Sequence, residues 1–222
     1  MIKSNSIIKK VVLSSWMARG LALLGGLFFL MQSWRYAHSL MSNLDEGAYL
    51  YKGYLFASGR YSIYQPYGPW SNHMPLSFLI PGYIQLLFGP GLEVGRYFMI
   101  LLGGLTLMGM WIIAYRLAGK WWAVICVWAI ALNSAIIKSY SLAMSQGLVA
   151  FLLVWSLVFI LGEKRPTWQI VLGSILAGLT LMTRINMFPV LPFVVLYTFW
   201  QHGRKAGILA TMLSLIHISE PT

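Results

Sequence analysis

Apolar residues recur along this chain in long runs that are separated by short polar or basic connections. The runs cover residues 11–33, 74–91, 94–115, 121–137, 147–162, 168–183 and 186–200, and another begins at residue 206. An α-helix needs about 20 apolar residues to cross the hydrocarbon core of a membrane. The pattern therefore predicts an all-α protein, a polytopic transmembrane helical bundle.

The charge balance agrees with a membrane protein. Of the 222 residues 59% are hydrophobic, and 16 Lys and Arg stand against five Asp and Glu. A net charge of +11 suggests nucleic acid in a soluble protein, but here the cations form short clusters between apolar runs, as the positive-inside rule describes. We therefore expect membrane lipids and not nucleic acid as partners. The single cysteine, Cys126, excludes an intrachain disulfide and a thiolate metal site, and we predict no metal and no cofactor.

The basic clusters also predict the topology. If every run crossed the membrane, three basic pairs would lie outside, against the charge bias. Residues 74–91 are short and contain three prolines, so we predict that they form a re-entrant or interfacial segment. The outer face then receives residues 34–93 and the connections around Lys138 and Arg184. The basic pairs that move inside are Arg116 with Lys120, Lys164 with Arg165, and Arg204 with Lys205.

The C-terminal residues break the apolar pattern. The run from residue 206 stops after one or two turns, and the polar string LSLIHISEPT follows without a cap or a basic anchor. Residues 213–222 resemble translated adapter sequence and are predicted to be a non-native tail. Residues 1–212 are then the transmembrane module, and we expect it to be the N-terminal part of a longer protein.

Residues 43–58 predict an amphipathic helix that lies flat at the membrane interface. Asn43 can cap its start, Glu46 stands three residues later as in a capping box, and Gly59 ends it. Asp45 and Glu46 are two of only five acids in the chain, and an acid near a membrane is a functional candidate. Acids in a first helical turn are also stabilised by the helix dipole, an interpretation that suits Glu46 best.

Helical spacing places Asp45, Tyr49 and Lys52 on one face of this helix. A carboxylate, a phenol and an ammonium group together suit proton abstraction beside an anionic group. The next residues, 59–75, are rich in Gly, Pro, Tyr and Trp. This composition fits either an ordered loop that stacks against a sugar or lipid headgroup, or an ordinary interfacial aromatic belt.

Five short motifs follow one another after a basic N-terminus and one span. They are D-E-G-A-Y at 45–49, P-L-S-F-L-I-P-G-Y-I-Q-L-L-F-G at 75–89, R-Y-F at 96–98, R-L-A-G-K at 116–120 and M-T-R-I-N at 182–186. In this order the chain resembles the polyprenyl-phosphate-dependent glycosyltransferases of the GT-C fold. The protein mannosyltransferase and aminoarabinose transferase branch is the most similar, and the resemblance covers residues 20–205.

This resemblance implies transfer of a sugar from a polyprenyl-phosphate donor to an acceptor hydroxyl, on the periplasmic or extracellular side of a bacterial inner membrane. The hydroxyl must lose a proton, so a carboxylate within hydrogen-bond reach acts as general base. The motif match assigns this role to Asp45, with Glu46 as the second candidate. The leaving lipid phosphate requires fixed cations or donors. The residues predicted to bind substrate are Tyr49, Lys52, Arg60, Arg96, Lys138 and Arg184.

Two features depart from the family pattern. Many relatives carry a second acid in the connection after the third span, but residues 138–146 contain none and offer Ser145 and Gln146 instead. His73 stands where some branches place a lysine. The competing interpretation is a polytopic membrane transporter or a flippase for a lipid-linked substrate. Two features argue against it, since the charges lie at the ends of the spans and no inverted repeat is visible. A non-catalytic scaffold would not explain an acid at the start of a helix in the long outer segment.

Overall fold

A computed structural model describes residues 2–62 and 75–215, with side chains for 14–62 and 75–214. Every regular element in these residues is helical, which confirms the all-α prediction. A 3₁₀ turn at Ile185–Met187 separates the eighth and ninth helices. The helices are α1 (Ile2–Ser39), α2 (Leu44–Ala57), α3 (Leu76–Phe88), α4 (Leu92–Ala118), α5 (Lys120–Ala131), α6 (Ser134–Ser141), α7 (Ser145–Ile160), α8 (Thr167–Thr183), α9 (Val190–His202) and α10 (Arg204–Leu215).

Two helical segments in the described residues are long and apolar enough to cross a membrane, Ser14–Ser39 of α1 and Leu92–Ala118. Together α5 and α6 make a third candidate, although the pair is bent by 68°. The apolar helices α7 and α8 are shorter, at 16 and 17 residues. The larger number of crossings expected from the sequence therefore remains a prediction. Helix α1 continues past the first apolar run, which ends at residue 33, as far as Ser39.

The segment predicted to be re-entrant or interfacial forms α3, which packs mainly against α2. Its 13 residues extend for roughly 20 Å, which is less than the ~30 Å of a membrane core. Pro81 lies inside α3 and does not interrupt it. The backbones of α2 and α3 touch, since a Cβ placed on Gly82 would lie 2.0 Å from the carbonyl oxygen of Gly53. Gln85 of α3 strengthens the contact by donating a 2.8 Å hydrogen bond to the carbonyl of Leu50.

The longer helices pack side by side through three apolar clusters. In the first, Phe29 of α1 meets α4, α5 and α6. In the second, Met99 of α4 meets α2 and α7, and in the third, Ile160 of α7 meets α8 and α9. The Trp128 indole also donates a 3.0 Å hydrogen bond to the carbonyl of Leu21, which ties α5 to α1. These contacts fix the ends of α1, α4, α7 and α8 relative to one another.

The two ends of this bundle carry different residues. At one end, Arg116 near the end of α4 donates a 2.7 Å hydrogen bond to Val158 near the end of α7. At the other end, the Arg184 side chain that follows α8 lies 3.2 Å from Ser145 at the start of α7. Helices α4 and α7 therefore run in the same direction and α8 runs against them. The start of α4, the start of α7 and the end of α8 meet at one end, as the topology prediction requires of segments that share a face.

Some predictions fall partly or wholly outside the described residues. The described part of α10 runs from Arg204 to Leu215, about three turns, which is longer than the one or two turns expected. Residues 216–222 of the predicted tail lie outside the described residues. The same is true of most of the aromatic segment 59–75, including His73.

Candidate functional site

The helix predicted to carry the two acids is present, and its ends are formed as the sequence indicates. The Asn43 side chain accepts a 2.8 Å hydrogen bond from the backbone N–H of Glu46, which caps the start of α2. At the other end Gly59 has φ of +74°, and the N–H of Arg60 bonds to the carbonyl of Leu55 at 2.9 Å. This is a Schellman motif, in which glycine avoids the penalty of a left-handed conformation.

Glu46 forms a buried ion pair with Arg96 of α4. Its side chain is fully buried, and Arg96 is 3% exposed. The guanidinium Nε and Nη2 each donate a 2.8 Å hydrogen bond to one carboxylate oxygen, so the pair is bidentate. The backbone N–H of Ala143 donates a further 2.7 Å bond to Glu46. The carboxylate therefore joins α2 to α4 and to the connection between α6 and α7. In the predicted capping box the Glu46 side chain would accept a hydrogen bond from the backbone N–H of Asn43, and these contacts replace that bond.

The rest of the Arg96 guanidinium is used by the end of α1. Its Nη1 donates hydrogen bonds to the carbonyls of Ala37 and Leu40, which belong to the last turn of α1 and the residues just after it. These carbonyls have no partner within the helix. With its donors turned to protein atoms and its side chain buried, Arg96 fits a structural role better than the predicted contact with substrate. The same holds for Glu46, since a general base needs a free oxygen within reach of the substrate.

A second cluster lies beside this pair on α2. Tyr49, three residues after Glu46, is 4% exposed, and its hydroxyl accepts a 3.0 Å hydrogen bond from Ser145. The Ser145 hydroxyl in turn accepts a 3.2 Å bond from Nη1 of Arg184. The structure thus connects two residues predicted to bind substrate, Tyr49 and Arg184, through Ser145. The sequence did not predict this role for Ser145, which stands where many relatives carry an acid.

Asp45 is exposed at the start of α2, in contrast to its buried neighbour Glu46. Burial raises the pKa of the Tyr49 hydroxyl; the Ser145 hydrogen bond and the positive charge of Arg184 oppose this rise, and the negative charge of Asp45 adds to it. Both charges therefore act on one hydroxyl group. The result is an exposed carboxylate and a half-buried guanidinium beside the same phenol.

The three remaining predicted residues lie outside this cluster, although Lys52 follows Tyr49 by only three residues on α2. Lys52 is half-buried on α2, and seven residues of helix separate it from Asp45 by roughly 10 Å. Arg60 is exposed beyond the other end of α2, so a helix about 20 Å long lies between it and Asp45. Lys138 is exposed on α6 with its ammonium 5.8 Å from the ring centre of Tyr36. The structure therefore does not bring Arg60 to the site, and it gives Lys138 an aromatic partner.

An aromatic group occupies the adjoining surface of α1 and α4. The rings of Trp34 and Tyr97 stack at 4.7 Å between centroids, with an interplanar angle of 10°. A ring nitrogen of His38 lies 3.1 Å from the hydroxyl of Tyr97. Trp34 is half exposed. Sequence reasoning missed this group, because only the four-residue spacing of Trp34 and His38 is visible in the sequence and Tyr97 lies on a different helix.

Comparisons with models of protein families, with curated proteins and with solved structures found no match for this chain. The function is therefore inferred from the residues of the site.

Proposed function

We propose that this chain is a membrane glycosyltransferase that takes a sugar from a polyprenyl-phosphate donor, with Asp45 as general base. The observation that carries the proposal is the placement of opposite charges around one hydroxyl. Asp45 and Arg184 both act electrostatically on Tyr49, and Arg184 reaches it through Ser145. An exposed base and a half-buried cation near one hydroxyl are what transfer from a phosphate leaving group requires.

The proposed reaction assigns a task to each group. The oxygen of the acceptor hydroxyl forms a bond to the anomeric carbon of the sugar, and its proton passes to the carboxylate of Asp45. The bond between the anomeric carbon and the phosphate oxygen breaks, and its electron pair stays on the lipid phosphate. Arg184 compensates the negative charge that develops there. Neither Glu46 nor Arg96 takes part, since their pairing holds α2 in place.

The proposal also depends on a rigid support for Asp45. A catalytic group must be held within about 0.5 Å of its productive position, and a helix start is better suited to this than a loop. Asn43 caps α2 on one side of Asp45, and the buried Glu46 carboxylate fixes it on the other side. The firm attachment of the start of α2 supports the proposal that Asp45 is a well-positioned carboxylate that faces outward.

The direct test is donor turnover by Asp45→Asn. Membranes that contain the protein would be supplied with polyprenyl-phosphate mannose, and release of free polyprenyl phosphate would be measured. Loss of a general base lowers rates by about 10² to 10⁴-fold, so we expect at least a hundredfold decrease with unchanged protein level. Glu93→Gln, which alters another exposed acid, is the matched control. Near-normal turnover by Asp45→Asn would refute the role of this residue.

We further propose that the protein is integral to a bacterial inner membrane, with this site on the periplasmic side. Thiol labelling of intact cells tests the orientation after the native Cys126 is replaced by serine. A cysteine introduced at Arg60 should react with an impermeant reagent, and one at Ala118, at the opposite end of α4, should not. The reverse pattern would overturn the orientation, and labelling at both positions would overturn the assignment of α3 as a segment that does not cross.

A transporter or lipid flippase remains the second candidate because of one observation. Helices α5 and α6 form a pair bent by 68°, and broken spans are characteristic of secondary transporters. The two functions differ in the fate of the donor. A flippase would move polyprenyl-phosphate mannose across vesicle membranes without breaking its sugar–phosphate bond, whereas the proposed enzyme releases polyprenyl phosphate.

A further inference from the structure

An apolar groove lies between α1 and α4 on the outer surface of the bundle. It encloses about 460 Å³, and its walls include Leu23 and Leu30 of α1 and Met108 of α4. Glycines form part of its floor, because at Gly26 the nearest atom to an added Cβ would be 4.0 Å away. Leu23 is 65% exposed. The groove is therefore open to whatever surrounds the bundle.

One end of the groove is basic. Arg19 and Trp111 line the groove and also a small polar pocket beside it, whose walls include Tyr115 and Lys120. The ammonium group of Lys120 donates a 3.2 Å hydrogen bond to Ser15. Among the residues whose side chains are described, neither Arg19 nor Lys120 pairs with a carboxylate. Within the described part of the chain, two cations thus adjoin the apolar groove without a carboxylate partner.

The length of the groove indicates its occupant. From Arg19 to Leu30 the helix rises by roughly 16 Å, which is close to half of the ~30 Å hydrocarbon core. A second helix that crossed the membrane would need the full thickness. One acyl chain of a phospholipid needs one leaflet, and the glycerol to which it is esterified carries a phosphate, which would reach the two cations at the basic end of the groove.

We propose that this groove binds one anionic glycerophospholipid, with an acyl chain between α1 and α4 and the phosphate between Arg19 and Lys120. The groove's basic end lies at the end of the bundle opposite to Asp45 and Arg184, so this lipid is not the sugar donor. Its binding does not depend on the proposed transfer reaction. A ligand that binds only the folded state stabilises that state, so the lipid would hold α1 against α4.

Native mass spectrometry of the purified chain tests the headgroup contact. The protein would be offered equal amounts of dioleoyl phosphatidylglycerol and dioleoyl phosphatidylcholine, which have the same chains and differ in net charge. We expect preferential retention of phosphatidylglycerol by about fivefold for each cation. Arg19→Gln combined with Lys120→Gln should remove this preference, and Lys138→Gln at the other end should keep it. Equal retention of both lipids by the unaltered protein would overturn the proposal.

A pair of glycine variants tests the groove itself. Gly26→Leu fills the groove and should lower retention of both lipids by about tenfold, as expected when about two methylenes lose contact. Gly20→Leu is the matched control on the same helix, because Gly20 has no atom within 4 Å of an added Cβ and does not line the groove. Equal retention by the two variants would overturn the proposal. So would loss of a dimer in Gly26→Leu, since a second copy would then be the occupant.

Discussion

Removal of one partner from the Glu46–Arg96 pair should strongly destabilise the protein. Arg96→Met leaves a carboxylate with a fully buried side chain without its cation, and it also leaves the carbonyls of Ala37 and Leu40 unpaired. Breaking a buried pair from one side typically costs about 3–5 kcal/mol. Since whole domains are stable by only about 5–15 kcal/mol, this change removes a large part of the free energy of unfolding.

Removal of both partners should cost less than the sum of the two single changes. Glu46→Leu and Arg96→Met each leave an unpaired buried charge, but the double variant leaves none. Its remaining cost comes from backbone groups that lose a partner, about 1–3 kcal/mol for each such group. We therefore expect a coupling free energy of at least about 2 kcal/mol between the two positions.

Equilibrium unfolding in mixed micelles, followed by circular dichroism as the fraction of sodium dodecyl sulfate rises, measures these differences. Lys138→Met serves as the control for loss of a cation at an exposed position, where little change is expected. A loss of less than about 1 kcal/mol in either single variant, or a double variant equal to the sum of the singles, would contradict the stabilising role of the pair.

The other predictions use the same unfolding measurement. Gly82→Ala should cost about 1–3 kcal/mol through overpacking against Gly53, whereas Gly47→Ala, which has open space, should be neutral or stabilising; equal effects would contradict the close helix contact. Asn43→Ala should cost about 1 kcal/mol and Asn43→Asp much less, and equal losses would exclude a cap. Because burial raises the pKa of Tyr49, the contribution of Tyr49 to the free energy of unfolding is complete below pH ~10 and is lost as pH rises through the raised pKa. Tyr49→Phe should therefore lose less stability at alkaline pH, and an unchanged loss would refute this.

Local features of the site could be predicted from the sequence because they depend on residues close together in the chain. Asn43 and Glu46 are three residues apart, and Gly59 follows directly after the helix, so the ends of α2 are visible in the sequence. The grouping of cations also predicts which helix ends meet. The role of Asp45 stays a prediction, since geometry alone does not test chemistry.

The partner of Glu46 could not be predicted, because Arg96 lies 50 positions away and other cations, such as Lys52 and Arg60, lie closer in the sequence. Adjacent residues on a helix point about 100° apart, so one of the two acids faces the bundle and the other faces outward. Which one is buried depends on how α2 docks against α4. Only the tertiary structure distinguishes the anchoring carboxylate from the exposed one.

The hydrogen bond between Ala143 and Glu46 has a consequence for biosynthesis, since it joins positions 97 residues apart. The native contacts of α2 cannot all form until the connection after α6 has left the ribosome. Until then α2 holds a carboxylate that lacks one of its native donors, and it is expected to remain undocked. Ribosome-bound chains that end at residue 130 should therefore be cleaved by protease within α2, and chains that extend through α9 should resist.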